Sequence, residues 1–552
     1  MHTIDRENRN NAMTSDNCIL KKVSLFKPLR LTIQVGLICG LTIAGIGNSF
    51  AGPKEQAKRM HDRLAGIPPT EEVLCAMEYW IDPNGGNNPE QAAMIVMRTD
   101  AIADPNNCNG GANIDNSLSK KAFYSVSLKN FVMPWTNEEQ TVLAPLNDYA
   151  ATVIGMIRDD VAFDKVLSEN ILYYGVAGGL SPLDASSNQH YVDLEDGAYD
   201  LSSSSVLTSR SQVGYIPAGA EPAGVVTTRA ASLAFFSGGT NRLMLRATSM
   251  NYLCRDLEQM KDVSRTPDRI RQDVSRSPGG DSSIFLSACM GCHAGMDPLA
   301  GAYAYYDHEV LDDGTPTGHM LWKQNSEMFG GTPAVTSNPG VGEELFSANC
   351  AGAGCHTQNN IGNPSVSDIT NAINSVPRMS GISPDLDFNA IVAFLNGVEE
   401  AEVVEVTAKY LINSGNFKYG YETVDNQWAN YWRDGPNSEL EWGWRETGGL
   451  SRSVSVTLPD GTTQSWSPPN KDAKIATSYG PASLGYEVTS TRAFAQCQVE
   501  KVFKHVCLRD PLETEDATVD SIATAFRDDV LNNARYNMKT VFKKVATQCM
   551  GN

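Results

Sequence analysis

Histidine is scarce in this chain, 8 in 552 residues, and basic side chains are outnumbered, 44 Lys and Arg against 64 Asp and Glu. The formal charge of −20 excludes a surface built for nucleic acid or anionic lipid, which bind through clustered positive charge. Long apolar runs are also lacking. Leu31 to Ile46 is the notable one, interrupted by Gln34 and glycines. As a helix it would reach about 24 Å, short of a bilayer core of about 30 Å. No internal repeat is visible beyond two short Cys/His motifs.

What surrounds that run gives it a different meaning. Lys21, Lys22, Lys27 and Arg30 precede it, and Asn48-Ser49-Phe50-Ala51 follows as a small-x-small cleavage pattern. This is the layout of a secretory signal peptide, with cleavage expected after Ala51 and Met13 an alternative start. The expected location is the periplasm or the outside of the cell, with no stable membrane span in the mature chain. Residues 1–51 carry six basic and three acidic side chains, so cleavage leaves about −23. Such an acidic surface suits a basic protein partner.

Against this background Cys289-Met290-Gly291-Cys292-His293 stands out. C-x-x-C-H is the attachment signal for a c-type haem: each thiol adds to a porphyrin vinyl group and the histidine ligates the iron. With so few Cys and His, chance would supply roughly 0.004 such strings. A longer version, Cys350-Ala351-Gly352-Ala353-Gly354-Cys355-His356, follows 57 residues later. A zinc site is the competing reading, since zinc also uses paired cysteines. An adjacent Cys-His pair suits a tetrahedral ion poorly. Two covalently attached haem c groups are therefore expected, with His293 and His356 as proximal ligands.

Six cysteines remain in the mature chain: Cys75, Cys108, Cys254, Cys497, Cys507 and Cys549. An even number after export predicts three disulfides. Cys75–Cys108 would close an Asn/Gly-rich loop. Cys497 and Cys507 share a helical pattern that separates them by about 15 Å, too far for a mutual bridge. Each is expected to pair elsewhere, with Cys254 and Cys549 as the partners available.

The expected architecture is mainly α and multi-domain. Residues 52–275 form an N-terminal helical domain, 276–340 the first haem region and a linker, 341–400 a small inserted domain, and 401–552 a C-terminal domain. Residues 54–80 read as two helices split by Ile67-Pro68-Pro69, with Thr70 as N-cap. Residues 137–168 show helical periodicity, and 180–225 read as loop. Gly314–Gly342 reads as linker. Five tryptophans, Trp428, Trp432, Trp442, Trp444 and Trp466, fall in 417–470 around a β-hairpin turning at Pro459-Asp460-Gly461. They read as core around a small sheet, with a sugar-binding face or haem wall as alternatives.

Segment 341–398 resembles a small class I cytochrome c domain. Gly342-x-x-Leu345-Phe346-x-x-Asn349-Cys350 is similar to its first helix, and Pro377-Arg378-Met379 to the loop that delivers its sixth ligand. Leu386, Ile391, Val392, Phe394 and Leu395 are similar to its last helix. The resemblance implies Met379 opposite His356. The segment is short for the family, and the C-x4-C-H spacer departs from it. The flanks resemble planctomycete-type cytochrome proteins of unknown function, through Met296-Asp297-Pro298-Leu299, Tyr306-Asp307, Asn241-Arg242, Leu253-Cys254 and Phe494-x-x-Cys497. That resemblance implies a secreted, mostly helical haem protein and brings no substrate.

For the first haem, His190 is the first choice of sixth ligand, in a polar loop that nothing else explains. His319 and His308 are the alternatives. Three functions follow. The leading one is electron transfer through two six-coordinate haems to redox protein partners, with stacking of subunits left open. The others are a dihaem peroxidase or oxygenase with one open haem, and a haem-stapled structural or binding protein.

Overall fold

Prolines and caps set the first helices. Helix α1 (Pro53–Ala65) ends at Gly66, whose φ of +72° places it in the left-handed region. Helix α2 (Glu71–Ile81) starts behind Thr70, whose hydroxyl accepts the Val73 N–H at 3.4 Å. Helix α3 (Pro89–Met97) is capped by Asn88, which accepts the Gln91 N–H. In this computed structural model the described residues are 51–236, 241–265, 270, 274–322, 426–448, 450–531 and 535–551.

The described residues are mainly α-helical. The longer helices that follow are α4 (Asp148–Arg158), α5 (Gln189–Asp196), α6 (Asn241–Tyr252), α7 (Met290–Ala300), α8 (Gly480–Thr489), α9 (Arg492–Val502), α10 (Asp516–Asp528) and α11 (Met538–Cys549). Helix α4 is buried along its whole length, so its periodicity marks a central helix within the wider stretch 137–168. None of the helices among the described residues is long and apolar enough to cross a membrane.

Strands occur in antiparallel pairs: β1 (Leu172–Gly175) with β2 (Leu207–Arg210), β3 (Tyr306–Val310) with β4 (Pro316–Trp322), β5 (Gln427–Asn430) with β8 (Ala476–Tyr479), and β6 (Val454–Thr457) with β7 (Thr463–Trp466). The β6–β7 turn falls at Pro459-Asp460-Gly461, where Asp460 accepts the Thr462 N–H and Gly461 takes φ +81°. Strand β4 replaces part of the expected linker. It opens with Pro316 and carries Gly318, which makes it a weak strand on its own, but it is satisfied by pairing with β3, Tyr306 opposite Trp322 and His308 opposite Met320.

The N-terminal helices, the first Cys/His motif and the C-terminal helices belong to one compact unit, although the sequence divides them at 275 and 400. Helix α11 packs on α1 and α3. Gln56 donates to the Gly551 carbonyl at 2.6 Å, and Lys544 pairs with Glu90 at 2.9 Å. The second unit, 324–408, lies outside the described residues. Cys75–Cys108, Cys254–Cys497 and Cys507–Cys549 are disulfides, with Cα–Cα distances of 5.7, 5.3 and 5.4 Å. Trp428, Trp432, Trp442 and Trp444 are buried core. Trp466 stands edge-on to Trp428 with centroids 5.4 Å apart and donates to the Thr477 carbonyl.

Candidate functional site

The segment carrying the first motif is helical throughout. A π-helical turn, Phe285–Cys289, runs into α7 at Met290. Residues three and four apart share a helix face. Cys289, Cys292 and His293 therefore present two thiols and an imidazole on one side. A ring bonded at two edges and one axial position needs that arrangement.

The surroundings of the two thiols differ. Cys289 is buried with Ile270, Phe285 and Ala294, and Val274 and Met290 pack against this cluster. Arg276 closes it from outside. Its guanidinium stands 4.9 Å from the Phe285 ring centroid while donating to the Ile270 and Val274 carbonyls. Cys292 is less buried, its Sγ 3.4 Å from the Leu257 carbonyl oxygen. The segment around Asp262 lies along the start of α7, and its N–H donates to the Gly291 carbonyl at 2.8 Å. A β-carbon on Gly291 would meet Val263 at 3.0 Å, so glycine permits this approach.

His293 is oriented by a carboxylate one turn along the helix. Its Nδ1 lies 3.0 Å from Asp297 Oδ1, which leaves Nε2, on the far edge of the ring, as the nitrogen that could ligate a metal. The Asp297 side chain has no solvent exposure and also receives Arg242 through two bonds, 2.7 Å from Nε and 3.0 Å from Nη2. Beside it Asn241 donates to the Ala300 carbonyl at 2.6 Å, capping the end of α7. The first two residues of α6 thus hold both the carboxylate and the C-terminus of the motif helix. On another side Trp432 packs against Gly295, and the Gln427 carbonyl lies where a Gly301 side chain would be.

The remaining histidines fall into two groups. His190 is not in a loop but on α5, and it is buried. Its Nδ1 donates to the Ser181 carbonyl at 2.7 Å, and its Nε2 accepts the Gly175 N–H at 2.9 Å. Both ring nitrogens are thereby committed to backbone, which accounts for this histidine as a structural clamp between α5 and β1. Its role as sixth ligand is not carried forward. His61 likewise uses both nitrogens, toward the Ile67 carbonyl and the Ser119 hydroxyl, and His505 bonds Ser127. His308 on β3 and His319 on β4 differ: each has a buried Nδ1 with no hydrogen bond. Asp307 Oδ1 stands 3.5 Å from the His308 nitrogen, too long for an effective bond.

Cys350, Cys355, His356 and Met379, with the whole of 341–400, lie outside the described residues, as do residues 1–50. Among the described residues no group of three or more His, Cys, Asp or Glu side chains is placed to hold a metal ion. Haem iron makes no such demand, because the porphyrin supplies four of its ligands. The Asp297–His293 pair is legible after the fact from its i, i+4 spacing. Arg242 is not, since it lies 55 positions away. Compared with known proteins, the chain matches no family model, no curated protein and no solved structure.

Proposed function

We propose that this chain is an exported dihaem c-type cytochrome that transfers electrons in the periplasm or outside the cell. The observation that carries the reading is the shared helical face of Cys289, Cys292 and His293, with the His293 Nδ1 occupied by Asp297. When bound, haem supplies a one-electron Fe(III)/Fe(II) couple. The chain's part is to anchor it through both thiols, present His293 Nε2 to the iron, and exclude water with the apolar cluster around Phe285.

His319 or His308 would hold this first haem from its other side, since each keeps a nitrogen without a hydrogen bond. The second haem rests on sequence alone: Cys350 and Cys355 would hold it, and His356 and Met379 would ligate its iron. A thioether ligand favours ferrous iron, so the two haems would differ in potential. The acidic surface fits a basic redox partner.

The test is the exported protein itself. Its intact mass should exceed the polypeptide from Gly52 by two haems, and CO should leave the spectrum of the reduced form unchanged. A single added haem removes the C-x4-C-H motif from the reading. CO binding overturns the relay in favour of an enzyme with an open iron.

A further inference from the structure

We infer that Asp297, clamped by Arg242, is the positioning residue that sets the reduction potential of the haem held by His293. The inference rests on the proposed function and deepens it. Three observations meet at one carboxylate. Asp297 Oδ1 takes the His293 N–H at 3.0 Å, the same carboxylate takes two Arg242 donors at 2.7 and 3.0 Å, and its side chain is fully shielded from solvent.

The physical consequence has a definite sign. A carboxylate accepting from Nδ1 draws the proton outward and makes Nε2 a stronger electron donor. A stronger donor stabilises ferric over ferrous iron, so the potential falls. Burial amplifies the effect, because a charge-assisted hydrogen bond out of water is strong. Arg242 acts in the opposite direction. Its positive charge draws on the same oxygen and weakens the pull on the imidazole. It lies one bond further from the iron, so the carboxylate wins. Arg242 also locks the carboxylate in place, which fixes the plane of the His293 ring.

Spectroelectrochemical titration of the full dihaem protein tests this, with the second haem as internal reference. Asp297→Asn keeps an acceptor of the same shape and removes the charge. The first haem's potential should shift upward, the second should not move, and both haems should stay attached. Asp297→Glu keeps the charge and should lie closer to wild type than Asp297→Asn does. An Asp297→Asn protein with both haems and an unshifted first potential overturns the inference. So does an equal shift in the Asn and Glu variants, which would mark a packing effect. If Asp297→Asn does not accumulate, Arg242→Gln decides. It takes the counter-charge and its two bonds off the carboxylate, so a downward shift supports the inference, and an upward shift or none overturns it. Wild-type protein without haem at Cys289 and Cys292 would sink the functional reading as well, an outcome separable from every variant result above.

Discussion

Trp432 lies so close to Gly295 that a β-carbon on that glycine would fall 2.0 Å from the indole Nε1. The glycine sits between His293 and Asp297 on the motif helix, and Trp432 is fully buried. Contact at that range leaves no slack on either side. Gly295→Ala should therefore destabilise the fold by about 1–3 kcal/mol, as overpacking of a filled core does. Urea denaturation measures it, with Gly178→Ala as control, where nothing lies within 4 Å of the added carbon. Equal midpoints for the two variants would contradict the packing described.

Under the proposed function, His190→Ala is expected to leave the spectrum of the first haem as it is in wild type. The loss should appear in stability instead. The Gly175 N–H and the Ser181 carbonyl would both be left without their partner, at about 2–4 kcal/mol. Visible absorption and thermal unfolding on one sample separate the two outcomes. A change to high-spin iron would restore His190 as a ligand.

Glu221 should make the protein less stable as pH rises. Burial pushes its carboxyl up to about 8, and one of its oxygens has no hydrogen bond. From about 4.5 to about 8 the unfolded chain has released this proton while the folded chain retains it, so stability declines across that window. Glu221→Gln removes the decline. Its advantage over wild type should grow with pH and reach on the order of 2 kcal/mol near neutrality. Parallel stability–pH curves for the two proteins would refute this.

His505 has the opposite dependence. Burial lowers it to about 4, with its ring beside Phe131 and Phe542. As pH falls from about 6.5 to about 4 the unfolded chain takes up a proton that the folded chain refuses, so stability is lost in that range. His61, lowered by burial as well, adds to the same slope. His505→Gln should flatten the acid side of the curve by about 2 kcal/mol. An unchanged acid limb would place the sensitivity elsewhere.

Local signals carried much of the fold. Pro68-Pro69, Thr70 and the hairpin residues Asp460-Gly461 act within one turn of the chain, and the structure uses each where the spacing puts it. Helix rise alone forbids a Cys497–Cys507 bridge and leaves Cys254 and Cys549 as partners, but which pairs with which was settled by the fold. What was hidden depends on partners far along the chain. Strand β4 exists through β3, and Arg242 finds Asp297 55 positions away. His190 misled because Gln189, Asp193 and Glu195 give its helix a polar appearance. His190, Tyr191 and Leu194 nevertheless turn inward together.

The joining of α1 and α3 to α11 bears on how the protein is made. During synthesis the first helices emerge long before the residues that cover them, and contacts of such sequence separation form slowly. Until Met538–Cys549 arrives, the N-terminal helices lack one of their packing faces and Cys507 lacks its disulfide partner. Closure of the unit therefore belongs to the end of synthesis. The order of emergence gives the Cys289–His293 segment an interval before it is enclosed, in which, under the proposed function, a large planar group could still be brought to its thiols.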